Sequence, residues 1–242
     1  MDLQQFQNQV VNGEVAESRW DRSLAFPVLM RKVYTWMALA LAITGFTSWF
    51  VANSPGIIST LFTSSGLIIG LCIAELVLVI ALSAAINKLS LTTATLMFVL
   101  YSVLNGVTLA SIFLIYTAES ITKVFFITAG TFAAMAAYGY FTKKDLTSWG
   151  KILFMALIGI IIASVVNIFM HSSMLSLIVS YAGVIVFVGL TAYDAQKIKQ
   201  MLIDADSVND STQKIALMGS LMLYLDFINL FLHLLRILGD RR

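Results

Sequence analysis

Charge is what this chain has least of. Only 12% of its 242 residues are charged, about half the roughly 25% of an ordinary soluble domain. So few charges cannot cover a surface facing water. Cysteine is nearly absent too: Cys72 stands alone in an apolar window, which excludes a disulfide framework and a cysteine metal site. Neither His171 nor His233 has a partner at a zinc-type spacing such as HExxH. No apolar run carries the mid-helix lysine that a retinal Schiff base needs, and a net charge of +2 is too small to point to nucleic acid. There is no internal repeat and no sign of a second domain.

What is present is apolar sequence, 59% of the chain, cut into lengths that match a bilayer. A helix needs about 20 apolar residues, rising about 1.5 Å each, to cross roughly 30 Å. Between Lys32 and Lys88 only Glu75 is charged; Leu89 to Ala118 and Val124 to Thr142 carry no charge; Ile152 to Tyr193 holds only His171. The pattern predicts an all-α membrane protein with seven transmembrane helices, near 33–52, 61–86, 90–116, 121–142, 150–170, 175–200 and 215–238. Residues 1–30 read as a polar cytoplasmic segment without the apolar core and cleavage site of a signal peptide, leaving 31–239 as the transmembrane domain. Met201 to Lys214 reads as a solvated loop, with Ser211 or Thr212 capping the last helix.

Basic residues orient the chain. With the N-terminus cytoplasmic, the inside holds Arg19, Arg22, Arg31, Lys32, Lys88, Lys143, Lys144, Lys151, Lys197, Lys199 and Lys214, 11 of the 15. Lys123, Arg241 and Arg242 fall outside, so N-in, C-out is favoured. A re-entrant last segment with both ends inside is the alternative.

An ionisable residue at the centre of a span costs about 2.5–3.5 kcal/mol on insertion scales, so each one needs a reason. Glu75 lies mid-way along the second span, where it is either a protonated anchor or part of an ion path. In the last span Asp226, Asn229, His233 and Arg236 fall within an arc of about 80° at 100° per residue. Such a stripe cannot face lipid. Asp226 and Arg236 are about 15 Å apart along the axis, too far to pair. Asp194, in "TAYDAQKI", is either a solvated helix end or a second buried acid. Asn105 beside Gly106 is a packing or kink position; Asn167 and His171 share a face, with His171 marking the outer end of the fifth span.

The segments "LYLDFINLFLHLLRILG" and "TAYDAQKI" resemble the C-terminal signature of the Bax inhibitor-1 (transmembrane Bax inhibitor motif) family, and the likeness runs from about Arg31 to Gly239. "AELVLVIALS", "NGVTL" and "KKDLTSWGKILFMALIGIIIASVVNIF" support it more weakly. The resemblance implies a bundle of seven helices with the last wrapped by the first six. It also implies a calcium leak responding to pH through two aspartates, here Asp194 and Asp226, which would bind calcium weakly. Glu75, with Asn105 and Asn229, would line the ion path, and Arg236 would be the basic counterpart of Glu75. One departure stands out: family members can carry an arginine latch near the inner end of the second helix, where this chain offers only Lys88. Lysine lacks the bidentate fork. Counted from the helix ends, the two aspartates differ in depth by about 10 Å, so their pairing rests on the resemblance alone.

If they do meet, two carboxylates share one proton and titrate as a unit. The expected function is therefore a pH-sensitive calcium leak channel: not an enzyme, without a cofactor, with calcium ions and protons as cargo and signal and membrane lipids as surroundings. A non-conducting regulator acting through a partner such as a membrane protease is the second reading. An intramembrane aspartyl protease is the third, disfavoured because "LYL", not Gly-x-Gly, precedes Asp226. The compact loops favour a bacterial inner membrane.

Overall fold

The computed structural model describes the backbone of residues 3–63 and 65–242 and the side chains of 24–61, 63 and 66–242. Arg19 and Arg22 lie outside the described side chains. Among the described residues there are nine helices and no strand: α1 (Leu3–Ala52), α2 (Pro55–Thr63), α3 (Ser65–Ala85), α4 (Leu91–Leu109), α5 (Ile112–Ile115), α6 (Ala118–Phe141), α7 (Thr147–Met170), α8 (Ser173–Ile203) and α9 (Asp210–Leu238). Seven stretches are long and apolar enough to cross a membrane, with α4 and α5 sharing one. Helices suit lipid because each satisfies its own backbone polar groups. Large apolar side chains point outward, Phe169 being 80% exposed, as a lipid-facing surface allows and a water-facing one does not.

Short polar stretches end the helices. Pro55 opens α2 at the position where a missing N–H costs nothing. Ser90, Thr117 and Ser172 accept N-terminal backbone N–H groups of α4, α6 and α8. The loop before α9 is shorter than expected, because α8 runs on to Ile203 and α9 starts at Asp210. Its cap is Asn209, and Thr212 supplies the reciprocal bond of a capping box. The first helix also begins earlier than 33, its backbone being helical from Leu3.

With seven spans, the chain enters α1 on one face and leaves α9 on the other. The face where α1 enters carries the turns 86–90, 142–146 and 204–209; the other carries 53–54, 116–117, 171–172 and the C-terminus. On that second face the chain end is tied down: the Thr117 N–H donates to the Asp240 carbonyl (3.1 Å), the Arg242 N–H to Ile115 (3.0 Å) and the Asp240 N–H to Ser120 Oγ (2.8 Å). α9 is thus a full span and not a re-entrant segment.

α9 is the axis of the bundle. In its most apolar stretch 67% of residues are buried, against 6% in α3 and in α7. It packs on α1, α4, α6 and α8, while α3 lies against α4 and α7 against α8. The expectation that all six other spans wrap it is therefore corrected to four, with the second and fifth spans outside. On the first face Gln196 of α8 accepts from the Leu146 N–H (2.9 Å) and donates to the Lys144 carbonyl (2.8 Å), and Lys199 donates to the Tyr140 carbonyl (2.8 Å).

Candidate functional site

The antiparallel contact of α8 with α9 places the two aspartates. His233 stacks on Phe187 with ring centroids 5.7 Å apart, and a Cβ on Gly183 would come within 2.4 Å of the His233 ring. Seven residues lead from Phe187 to Asp194, and seven lead back from His233 to Asp226. The register therefore sets Asp194 opposite Asp226, and the carboxyls stand within hydrogen-bonding reach. Two ionised carboxylates cannot donate to one another, so a bond between them requires one shared proton. Asp226 is 5% exposed, and its Oδ2 is buried without a partner. Asp194 is half-buried and faces Lys197, one turn further along α8.

The register also removes the depth discrepancy. Leu238, the end of α9, falls level with Ala182, so residues 173–181 of α8 project about 13 Å further at about 1.5 Å per residue.

Glu75 belongs to a different assembly, on the other side of α9. Its Oε2 accepts from Asn105 Nδ2 (3.2 Å) and its Oε1 from Thr108 Oγ1 (2.7 Å). Asn105 Oδ1 accepts from the Tyr224 hydroxyl (3.0 Å), which lies 2.7 Å from Thr44 Oγ1, and Thr44 reaches the Ser102 carbonyl at 2.8 Å. Four helices are joined through this chain: α1, α3, α4 and α9. Close packing permits it, since a Cβ on Gly106 would sit 2.7 Å from the Thr44 carbonyl oxygen.

Each hydroxyl in the chain has one proton to give. With Glu75 ionised, Asn105 donates to it, Tyr224 to Asn105 and Thr44 to Tyr224, leaving nothing for Ser102. All four links are made together only if Glu75 carries a proton and the Asn105 amide turns over, so that every donor points the other way. The direction of the chain thus reports the charge of Glu75.

The remaining expected site residues fall as follows. Asn229 is half-buried and donates to the Leu225 carbonyl of its own helix (2.8 Å). Arg236 is exposed at the outer end of α9. It is not brought to Glu75, because α3 sits behind α4 and both Glu75 oxygens are engaged there. Lys88 is exposed at the turn after α3, and the cation beside the aspartates is Lys197. His171 closes α7 in a left-handed conformation (φ 49°), with Asn167 Oδ1 accepting from the Ser172 N–H. Among the described residues no three His, Cys, Asp or Glu side chains come together to hold a metal, so Glu75 does not join the aspartates as a third ligand. Sequence reading missed Thr44, Thr108 and Tyr224. Thr108 stands three residues after Asn105 within "NGVTL", and that spacing was the available signal.

A helical bundle of seven spans, with its last helix at the centre and a buried aspartate of that helix set against one from the helix before, defines an integral multi-pass membrane protein of a particular kind. Residues 27–242 match the family described as "Inhibitor of apoptosis-promoting Bax1", and the chain belongs to this Bax inhibitor-1 family. It is 55% identical over 214 residues to the inner membrane protein YbhL of Escherichia coli strain K12, covering 88% of this chain and 92% of that one. It is 47% identical over 213 residues to an uncharacterized protein of Borreliella burgdorferi (88% and 92% covered). Identity to an uncharacterized protein of Rickettsia prowazekii is 45% over 214 residues (88% and 89% covered).

Proposed function

We propose that the chain is a pH-sensitive calcium leak of the membrane, gated by Asp194 and Asp226. The observation that carries this reading is their apposition across α8 and α9, with one oxygen of Asp226 buried and unbonded. In the singly protonated state a charge-assisted bond clamps α8 to α9. Loss of the proton sets two like charges face to face; a second proton removes the charge-assisted bond. Either change loosens the clamp. Calcium, a hard cation taking six to eight oxygens, finds only two carboxyls there and must keep water in its shell. Binding is then weak, as conduction requires. Glu75 serves as a separate station behind α4, not as a third ligand. On this reading calcium is cargo, no cofactor is needed and no bond is made or broken. By its excess of lysine and arginine, the face where α1 enters is cytoplasmic, and the likeness to an inner membrane protein supports a bacterial inner membrane.

The test is calcium flux into liposomes containing the pure protein, measured across pH. Asp194→Asn and Asp226→Asn are each expected to abolish the pH response; full pH dependence in both removes the sensor. The complete bonding of Glu75 favours a second reading, a non-conducting regulator of a partner such as a membrane protease, in which these polar groups only fasten the bundle. Absence of any flux from the pure protein would decide for it.

A further inference from the structure

α1 and α6 flank α9 and meet at the first face, where Phe26 stacks on Tyr140 with ring centroids 6.3 Å apart; deeper in, a cavity of about 670 Å³ opens between them. That lies within the range of about 300–1,000 Å³ typical of ligand sites. Its α6 wall is a smooth trough, because Ala129, Ala133 and Ala137 recur every fourth residue on one side of the helix. Phe227 of α9 forms the floor. The deep end is closed by aromatic rings: Phe125 and Phe132 each lie 5.5 Å from Phe227.

The two ends of the cavity differ in chemistry. At the first face it is bordered by Arg31 and Tyr34. Arg31 is exposed, and among the described residues it has neither a hydrogen bond nor an ion pair. Tyr140, on the opposite wall, has Lys199 over its ring at 5.1 Å, so a second cation flanks the mouth. From Pro27 to Leu41, the inner and outer limits on α1, fourteen residues span about 21 Å, half of a bilayer of about 40–45 Å with its headgroup regions included. A slot one leaflet deep, apolar along its length and cationic at the headgroup level, matches a single lipid.

The geometry points to this α1–α6 groove as a binding site for one anionic phospholipid of the leaflet on the α1 entry face, its phosphate at Arg31 and an acyl chain along the alanine trough. Arg31 supplies a fork suited to phosphate, and the occupied groove extends inward the contact that α1 and α6 make at Phe26 and Tyr140.

The test is native mass spectrometry of the full-length protein released from mixed vesicles of phosphatidylglycerol and phosphatidylcholine with identical chains. Wild type is expected to retain phosphatidylglycerol about five-fold over phosphatidylcholine, the ratio corresponding to about 1 kcal/mol per basic side chain at a lipid surface. Arg31→Gln should bring the two lipids to equal retention. Ala133→Trp, which fills the trough from an exposed position, should remove both, and soluble glycerol phosphate should displace neither. Equal retention by wild type, or an unchanged preference in Arg31→Gln, overturns the headgroup assignment. Unchanged retention in Ala133→Trp, with the unfolding midpoint preserved, overturns the groove. If Ala133→Trp does not fold, Arg31→Gln, altering only an exposed side chain, decides alone. None of these readouts depends on calcium flux, so the result stands apart from the fate of the proposed gate.

Discussion

Tyr224 and Asp226 are two positions apart on α9 and therefore point to nearly opposite sides of it, about 160° around the axis. Tyr224 joins Asn105 and Thr44; Asp226 meets Asp194. The central helix thus keeps two polar systems at one depth with its own backbone between them. Tyr224→Phe should leave Asn105 Oδ1 without its donor and lower stability in detergent by about 1–3 kcal/mol, the cost of an unsatisfied buried group. The pH midpoint of flux should stay where it is. A shift of that midpoint in Tyr224→Phe would mean that the two systems communicate.

Glu75→Gln should be tolerated. A glutamine can donate to the turned-over Asn105 amide while still accepting from Thr108, which reproduces the protonated order of the chain. Its unfolding midpoint at neutral pH is expected at or above that of the parent, whereas Glu75→Ala should lower it. Calcium passage, not the pH midpoint, is what Glu75→Gln should reduce.

Gly139 of α6 lies against the α8 backbone so closely that a Cβ there would be 2.0 Å from the Ala192 carbonyl oxygen. Backbone cannot swing aside as a side chain can. Gly139→Ala should force α6 and α8 apart at a cost of about 1–3 kcal/mol or more. Gly159 of α7 has nothing within 4 Å of its Cβ position, and Gly159→Ala should leave the unfolding midpoint unchanged or raise it. Equal effects of the two would contradict the packing described.

Gly183 and His233 should couple. A Cβ at Gly183 would strike the His233 ring, the movable end of a side chain, so Gly183→Ala displaces the ring from Phe187. Removing the ring first, with His233→Ala, should make the second substitution nearly silent. A double-mutant cycle that came out additive would show that the ring does not occupy this place.

Outside the membrane, Asp145 accepts the Thr147 N–H at 2.8 Å as α7 begins, and the Thr147 side chain and backbone bonds hold its carboxyl below the ordinary carboxylate range. A depressed value means that the bond stabilises the fold above the unfolded value and is lost as pH falls through the folded one. Hydrogen exchange in the first turn of α7 should accordingly rise in Asp145→Ala at neutral pH. Parent and variant should converge once the pH is low enough to protonate Asp145.

Much of this architecture can be read directly from the chain, because a bilayer imposes one long rule: windows without charge become spans. Even the exclusion of α3 and α7 from the centre has a signal, since these are the two most apolar of the seven spans, and a helix surrounded by lipid has least use for polar groups. The polar stripe of α9 likewise announces an inward face. Thr44 and Tyr224 were not legible, for a hydroxyl in an apolar helix can bond its own backbone and so gives no sign of a partner 180 residues away. The Glu75 to Arg236 pairing failed for a related reason: opposite charges suggest a meeting, but only the helix order reveals that α4 stands between them. The meeting of Asp194 with Asp226 needed the α8–α9 register, which end-counting misjudged because α8 overshoots its neighbour.

The element around which everything else is arranged is synthesised after the other six spans. Until residues 210–238 emerge, Asn105 and Asp194 lack the groups that face them in the finished bundle, and the four spans that pack on α9 must wait in the bilayer around an unfilled centre. Arrival of α9, and not insertion of the first spans, is then the event that commits this protein to its native form, and a nascent chain stalled before that point would present its unmatched polar side chains to the membrane's quality-control proteases.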